Sequence, residues 1–245
     1  TRLGVEHDST GNRAKAFLYC LEVRCPETGW LVPLLPSFVV STWRRCIARL
    51  LPDPENKRFV IEIATGVSEE EFAAARVGTV VNGELVYSLD DVQRRVPIRT
   101  IRGDRRVHGV TITNLRQWSR HDFMPASPDI FQERLYCIQW TRNEDPSASF
   151  FAAPSVDDLR REQEVNALVA QHLENWQHAG LVPDMPIATG DKTDELIRTR
   201  GWTHWHHLFA PRQLQQLALV AAEARRSPET FVYFSMALDR ASKLC

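Results

Sequence analysis

The segment from Gly201 to Gln213, GWTHWHHLFAPRQ, combines two tryptophans, three histidines and an arginine directly before a strongly helical stretch. Indole and imidazole rings bury an apolar body but need a partner for a polar N–H. Indole faces stack on nucleobases, and an arginine at a helix start can meet a phosphate. The segment is therefore a candidate nucleic-acid contact through His204, Trp205, His206 and Arg212.

Two other interpretations of this segment remain open. The tryptophans, with Leu208 and Phe209, could instead anchor the loop to the core, because large aromatic side chains often supply burial area. The histidines could in principle ligate a metal. However, the spacing of His204 and His206 favours a strand, His206 and His207 would then point apart, and no acidic partner lies close in sequence. We therefore expect packed or surface histidines.

A second basic candidate lies in the middle of the chain. Arginine greatly outnumbers lysine and clusters at Arg94, Arg95, Arg99, Arg102, Arg105 and Arg106. Planar guanidinium groups pair with phosphate oxygens, so Arg102, Arg105 and Arg106 are candidate nucleic-acid contacts. The alternative is a solvated arginine face balanced by acids elsewhere. Because the whole chain has a net charge of −1, any nucleic-acid contact must be local.

Metal and catalytic motifs are incomplete. The run Cys25-Pro26-Glu27-Thr28-Gly29 resembles one knuckle of a zinc ribbon, but threonine occupies the position of the second cysteine and the chain has no Cys-x-x-Cys pair. We therefore predict no metal site. There is no glycine-rich phosphate loop and no Gly-x-Ser-x-Gly elbow. The acidic pairs Asp90-Asp91, Asp157-Asp158 and Asp194-Glu195 are each expected at a helix start. No catalytic or cofactor-binding residue is predicted.

Composition narrows the class of protein. With 245 residues and 43% hydrophobic content, the chain is long enough for one large domain or two small ones. No apolar run approaches the roughly 18 residues of a membrane span, and the start does not resemble a secretory signal. Five scattered cysteines argue against a disulfide framework. We expect a cytoplasmic protein with free thiols and no membrane partner.

The pattern predicts an α+β fold, with a β-rich module over residues 1–153 and a helical part over 154–245. Short apolar runs separated by turn signals predict strands at Ala16–Val23, Phe59–Ile63, Val77–Val81, Glu84–Tyr87, Val107–Thr113 and Leu135–Trp140. Asn82-Gly83 predicts a two-residue hairpin turn, because both positions require positive φ angles. Loops are expected at 122–129 and 143–149.

Helical periodicity begins after Pro154. A capping-box-like pair, Ser155 and Asp158, predicts a long helix over 156–178. A connector over 180–190 precedes a short helix over 192–200. Pro211 is expected at the first position of a helix ending near Arg226, and Ser227-Pro228 opens another. That last helix still runs at the final residue and the first residue is not methionine, so we expect a piece of a longer protein.

Three stretches of the chain resemble bacterial adenine-specific DNA methyltransferases that carry a zinc-ribbon insertion. The run Trp205–Leu214, W-x-x-L-F-A-P-R-Q-L, is similar to the family's W-x-x-L-F-T-P-R-Q-L. The run Arg24–Ser37 resembles its R-C-P-x-C-G-x-x-V-P-L-L stretch, and A-L-D-R-A-S-K-L-C, within 234–245, resembles its A-L-D-R-x-x-x-x-N-S-x-L-C helix. The connector Gly180–Pro183 and Pro186 match as well. The matches keep the same order along most of the chain.

The resemblance implies a central segment of such an enzyme. In this family the glycine-rich S-adenosylmethionine loop lies upstream and the Asp-Pro-Pro-Tyr tetrapeptide lies downstream, and neither occurs in this chain. The expected partners are DNA, contacted through the parent enzyme, and the remaining methyltransferase domain; the expected cofactor of the parent is S-adenosylmethionine. Thr28 replaces the second zinc cysteine, the second knuckle expected after Gly78-Thr79-Val80 is missing, and Ala210 replaces threonine.

Two rival functions differ from this interpretation. One is a noncatalytic structural or protein-interaction module, in which Trp202, Trp205 and Arg212 are buried against protein and no basic groove exists. The other is an independent hydrolase, which would need a deep pocket joining His204, His206 and an acid. The sequence alone identifies no enzyme by its chemistry.

Overall fold

A computed structural model describes residues 5–226 of the chain. These residues form two compact units. The first runs through Leu115 and resumes from Pro125 to Leu159; the second comprises Arg116–Met124 and the chain from Arg160 onward. The fold is α+β, with a β-rich N-terminal part followed by helices, as the sequence predicts. The division differs from the expected 153/154, because residues 154–159 belong to the first unit and Arg116–Met124 to the second.

A seven-stranded sheet forms most of the first unit, in the order β12-β11-β1-β2-β5-β4-β3. Its strands are β1 (Arg13–Arg24), β2 (Leu31–Leu34), β3 (Val39–Ser41), β4 (Cys46–Asp53), β5 (Arg58–Thr65), β11 (Phe131–Thr141) and β12 (Ser149–Ala152). Adjacent strands pair antiparallel except β2 and β5, which are parallel. Helix α1 (Glu69–Ala74) follows β5, and Ser68 caps it through a hydrogen bond to the Glu71 amide.

A three-stranded sheet, β6 (Val80–Val81), β7 (Glu84–Leu89) and β8 (Val92–Pro97), completes the core of this unit. The hairpin at Asn82-Gly83 is confirmed, with φ angles of 51° and 79°. Asp90-Asp91 does not start a helix as expected. Both residues have positive φ and form the tight turn between β7 and β8, a conformation that a short polar side chain tolerates.

One apolar cluster joins the two sheets of the first unit. Its members come from β1, β2 and β5 of the large sheet, from β7 and β8 of the small one, and from the turn between β1 and β2. They are Val23, Val32, Phe59, Leu85, Tyr87, Leu89 and Val96 on the strands, with Cys25 and Trp30 in the turn. Burying large apolar side chains contributes roughly 2 kcal/mol each. The small sheet is therefore held by packing against the large one.

A threonine links the same two sheets through the backbone. Thr79, which precedes β6, is buried; its hydroxyl donates to the Pro33 carbonyl and accepts from the Leu35 amide at 2.9 Å. Gly78 lies so close to the Pro33–Leu35 backbone that a Cβ on it would stand 2.0 Å from the Leu35 carbonyl oxygen. The residues that directly precede the missing second zinc knuckle are thus held by hydrogen bonds of Thr79.

The small sheet continues into a short helix and a separate two-stranded ribbon. Helix α2 (Ile98–Arg102) ends at Gly103, and the strands β9 (Arg105–Val107) and β10 (Val110–Ile112) follow. The predicted single strand over 107–113 is wrong, because His108-Gly109 forms a turn with φ angles of 49° and 83°. Of the strand predicted over 77–81, only Val80–Val81 (β6) forms a strand. The other strand predictions are confirmed.

The helical unit contains most of α3 (Val156–His178), α4 (Asp194–Arg200) and α5 (Pro211–Arg226), with a 3₁₀ turn at Trp205–Leu208. The bounds of α3 and the start of α5 at Pro211 agree with the prediction. Ser155 and Asp158 form the predicted reciprocal cap, with hydrogen bonds of 2.8 and 3.2 Å. The helix expected from Ser227 onward lies outside the described residues. None of the described helices is long and apolar enough to cross a membrane.

The large sheet buries a carboxylate. Glu22 on β1 is only 2% exposed, yet its two oxygens lie 2.8 Å from the Arg134 guanidinium and 3.0 Å from that of Arg58. Arg134 also donates to the Phe59 carbonyl at 2.7 Å. The two arginines therefore connect β1 with β11 and β5 across the sheet.

Replacing this carboxylate should destabilise the fold. For Glu22→Gln we expect the free energy of unfolding to fall by on the order of 3 kcal/mol, because two partly buried cations lose their counter-charge. The matched control is Glu62→Gln, which removes an exposed pair with Arg49 and should cost less than about 1 kcal/mol. Urea unfolding followed by circular dichroism measures both, and equal losses would contradict a structural role for Glu22.

Candidate nucleic-acid interface

The Gly201–Gln213 segment packs on a short upstream strap, Arg116–Met124. Gly201 ends α4 with a φ of 76°, and its carbonyl accepts from the Trp118 amide at 2.8 Å. The approach is so close that a Cβ on Gly201 would stand 2.1 Å from the Arg116 oxygen. Thr203 extends the contact, since its hydroxyl donates to the Trp118 carbonyl. The strap and the segment therefore form one packed structure.

His207 is held by backbone groups on both ring nitrogens. Its Nδ1 accepts from the amides of Thr203 at 3.1 Å and His204 at 3.3 Å, so the proton must sit on Nε2, which donates to the Ser119 carbonyl at 3.0 Å. Burial, together with the neighbouring His206, lowers the pKa of His207 to about 4. His207 is therefore neutral at physiological pH.

His206 is enclosed in the same way. Its side chain is fully buried, Nε2 lies 3.0 Å from the Asp122 carbonyl, and Nδ1 lies 3.4 Å from the Gln177 amide nitrogen. Burial is the main cause that lowers the pKa of His206, and it also lowers that of His204. An imidazole engaged on both nitrogens, such as that of His206, cannot serve as a general base, so one of the two histidines that the hydrolase hypothesis requires is occupied.

The predicted strand geometry of the histidines is wrong. The Trp205–Leu208 turn brings all three imidazoles together, with centroid distances of 4.3 Å between His206 and His207 and 5.5 Å between His204 and His207. A 3₁₀ turn forms in place of an extended strand because it directs the buried rings of His206 and His207 toward backbone carbonyls of the strap. The strap has no motif of its own, so this contact was missed.

Arg212 is a structural residue in this conformation. It is 7% exposed, and its Nε lies 2.6 Å from a carboxylate oxygen of Glu162 on α3. Trp202 is half-buried and makes an edge contact with Trp118 at 6.3 Å between centroids. Trp205 is also half-buried. Of the candidate contacts in this unit, His206 and Arg212 have no side-chain surface left for a phosphate, whereas His204 and Trp205 keep part of theirs.

The second group of candidates lies on the first unit, in residues 92–114, which we call the basic segment. It contains six arginines and a single aspartate. Arg102 and Asp104 form a two-point ion pair with distances of 2.5 and 3.0 Å, and both side chains are mostly buried. Arg105 donates to the Asn114 side chain at 2.6 Å and Arg106 to the Gly109 carbonyl, and both are exposed. Arg102 is thus a scaffold, and Arg105 and Arg106 keep their charge at the surface.

The basic segment borders a groove. A cavity of about 470 Å³ lies between the Asn82-Gly83 turn and the start of α2, lined by Asn82, Gly83, Glu84, Pro97, Ile98, Arg99 and Arg102. Arg99 is exposed at this groove. Arg95 stands on the adjacent β8 strand and pairs with Glu84 at 3.3 Å. Because Arg102 is paired with Asp104, Arg99 supplies the exposed positive charge of this groove.

The zinc-knuckle-like run that begins at Cys25 forms a turn but lacks the second cysteine ligand. The Gly29 amide donates to the Cys25 carbonyl at 2.8 Å, and the Thr28 hydroxyl lies 2.7 Å from the Tyr87 hydroxyl. Burial opposes ionisation of the Cys25 thiol, but hydrogen bonds from Tyr87, Thr28 and Glu27 lower its pKa overall. Within residues 5–226, no three histidine, cysteine or acidic side chains are grouped to hold a metal. With threonine in the second ligand position, the residues present do not fit zinc.

Comparisons with known proteins give no family assignment. No protein-family model, no curated protein and no solved structure matches this chain.

The buried histidines make stability depend on pH. His207 has a pKa of about 4 in the folded chain against about 6.5 when unfolded, so below about pH 6.5 the unfolded state binds the extra proton. Stability is retained above that pH and lost as the pH falls toward 4, by on the order of 3 kcal/mol for this residue. Urea unfolding at pH 7.5 and 5.0 measures the loss.

The control for this prediction replaces single histidines. His207→Gln should be less stable at pH 7.5 but should lose less on acidification than the wild type. His178→Gln, at an exposed position on α3, should retain the wild-type difference between the two pH values. An unchanged pH difference in His207→Gln would show that another group controls acid unfolding.

Proposed function

We propose that this chain is a noncatalytic, DNA-engaging central segment of an S-adenosylmethionine-dependent adenine-specific DNA methyltransferase. The observation that carries DNA engagement is the exposed charge of the basic segment, including Arg99, Arg105 and Arg106, beside a groove. Phosphate contacts supply most of the sequence-independent affinity of such proteins. The methyltransferase part of the proposal rests on the sequence resemblance.

The two parts of the proposal fit together chemically. Methylation of adenine requires the base to leave the duplex, which costs a few kcal/mol and must be offset by contacts to the surrounding DNA. A segment that holds the phosphate backbone contributes to that offset without touching the reacting atoms. The cofactor and the catalytic tetrapeptide then belong to the remaining methyltransferase domain, the expected partner of this chain. We place the protein in the cytoplasm, where the four free cysteines of the described residues would stay reduced.

The proposal shifts the DNA contact from one part of the chain to another. Burial removes His206 and Arg212 from the candidate contacts, and the ion pair with Asp104 makes Arg102 a support. Arg105 and Arg106 remain candidate contacts, and the exposed Arg99 of the same segment joins them. His204 and Trp205 are partly exposed, but the proposal assigns them no DNA contact.

A structural or protein-interaction module is the second candidate function. The observation that favours it is the packing of the Gly201–Gln213 segment, where His206, His207 and Arg212 are all buried. In that case the segment stabilises the unit for contact with another protein domain. Absence of DNA binding at every salt concentration would favour this second function.

Removing the surface arginines should weaken DNA binding and its dependence on salt. For Arg99→Ala/Arg105→Ala/Arg106→Ala we expect weaker binding to duplex DNA and a slope of log affinity against log salt that is shallower by about 3, roughly one per lost phosphate contact. Fluorescence anisotropy over a series of salt concentrations measures this slope.

The matched control removes three exposed cations elsewhere, in Arg76→Ala/Lys192→Ala/Arg198→Ala. Its net charge equals that of the first variant, so its salt slope should stay near that of the wild type. Equal effects of both triple variants would show that the loss of affinity depends on net charge and not on the position of the arginines. A flat salt response of the wild-type chain would remove the phosphate contact altogether.

The parent enzyme is tested separately by the full reading frame. We expect a glycine-rich loop upstream and an Asp-Pro-Pro-Tyr tetrapeptide downstream. A full reading frame that lacks both motifs would overturn the methyltransferase assignment. DNA engagement would then be decided by the binding experiment alone.

A further inference from the structure

The strands β9 and β10 form a two-stranded ribbon that belongs to neither of the larger sheets. Both of its faces are exposed along β9 and at the turn, and Val110 and Val107 are 63% and 40% exposed. An isolated two-stranded hairpin is marginally stable in water, and exposed valines add no burial to it. The ribbon therefore presents an uncovered surface.

The base of the ribbon, unlike its tip, is firmly attached. Asp104 at the start of the ribbon pairs with Arg102 through two hydrogen bonds, and the Asn114 amide at its end donates to the Arg102 carbonyl at 2.8 Å. Arg105 also bonds to the Asn114 side chain. Gly103 fits against Asn114 so closely that a Cβ would stand 2.2 Å from its side-chain nitrogen. The ribbon is thus mounted on α2 at a defined position.

The charges of the ribbon lie on both of its faces. Neighbouring residues of a strand point to opposite sides, so Arg105 lies on the face of the Val107–Val110 pair and Arg106 on the other face. Both arginines are exposed. A partner that carries negative charge on two sides of a channel would match this arrangement.

Duplex DNA supplies such a channel, and its dimensions select one groove. The two strands of a ribbon lie about 4.8 Å apart, and three residues extend about 10 Å. The major groove is about 12 Å wide and 8.5 Å deep and admits a two-stranded ribbon, whereas the minor groove is only about 6 Å wide. Phosphates line both walls of the groove, and thymine methyl groups project into it.

We propose that the β9–β10 ribbon enters the major groove of duplex DNA. Arg105 and Arg106 contact phosphates on opposite walls. The Val107–Val110 pair lies next to the turn and on the face of Arg105, so it reaches thymine methyl groups beside the wall that Arg105 contacts. His108, exposed at the turn, lies toward the base edges. This inference rests on the proposed DNA engagement and specifies the groove and the element that occupies it.

The groove is tested with the wild-type chain on modified duplexes. Glucosylated 5-hydroxymethylcytosine fills the major groove, so we expect affinity to fall about tenfold or more, as loss of groove contacts requires. Saturating netropsin, which fills the minor groove at A·T sites, should change affinity less than about twofold. Fluorescence anisotropy at constant salt measures both.

The valine pair is tested by removing the methyl groups from the DNA. The wild-type chain should bind a thymine-containing duplex several-fold more tightly than the same duplex with uracil. Val107→Thr/Val110→Thr keeps the β-branched shape but replaces one methyl group of each valine by a hydroxyl, so its preference for thymine over uracil should be smaller than that of the wild type. The control is Leu51→Thr/Val60→Thr, another exposed cross-strand pair of the same unit, which should keep the wild-type preference.

The outcomes separate this inference from the proposed function. Salt-dependent binding that is unchanged by glucosylation but lost with netropsin would overturn the placement of the ribbon in the major groove. It would still support DNA engagement. A preference for single-stranded DNA or RNA over duplex also overturns the placement. No salt-dependent binding to any DNA overturns the proposed function and this inference with it.

Discussion

The buried carboxylate of Glu22 is the interaction on which the first unit depends. It sits on β1, which pairs with β11 on one side and β2 on the other, and it faces Arg134 from β11 and Arg58 from β5. A buried charge is stable only when its partners are in place. The same strand places Val23 in the cluster that holds β7 and β8. The α2 helix and the ribbon follow directly from β8, so their position depends on this sheet.

Side chains that satisfy buried backbone groups recur in both units. Thr79 bonds Pro33 and Leu35 in the first, whereas His206 and His207 bond Asp122 and Ser119 in the second. An unpaired buried carbonyl or amide costs free energy comparable to a lost hydrogen bond, so these positions tolerate little change. These polar and aromatic residues, which the sequence suggests as a functional site, instead stabilise the fold. Among the arginines of the basic segment, Arg99, Arg105 and Arg106 keep their charge exposed to a ligand.

The elements predicted correctly from the sequence depend on neighbouring residues. The Asn82-Gly83 hairpin, the Ser155 cap and the periodicity of α3 are local signals, and each appears as expected. The histidine turn was predicted wrongly because its partners lie more than 80 residues upstream, in a strap without a motif. The ribbon was read as one strand because His108 gave no turn signal before its glycine. Burial of Arg212 likewise depends on Glu162, fifty positions away.

The central claim is that DNA is engaged by the basic segment of the β-rich unit and not by the aromatic segment of the helical unit. Amide hydrogen exchange of the chain with and without duplex DNA tests this directly, because exchange slows where a ligand covers or rigidifies the backbone. The account predicts slower exchange in residues 92–114, greatest at Arg105–Ile112, and no change in Gly201–Gln213. Protection confined to Gly201–Gln213, with the ribbon unchanged, would contradict it.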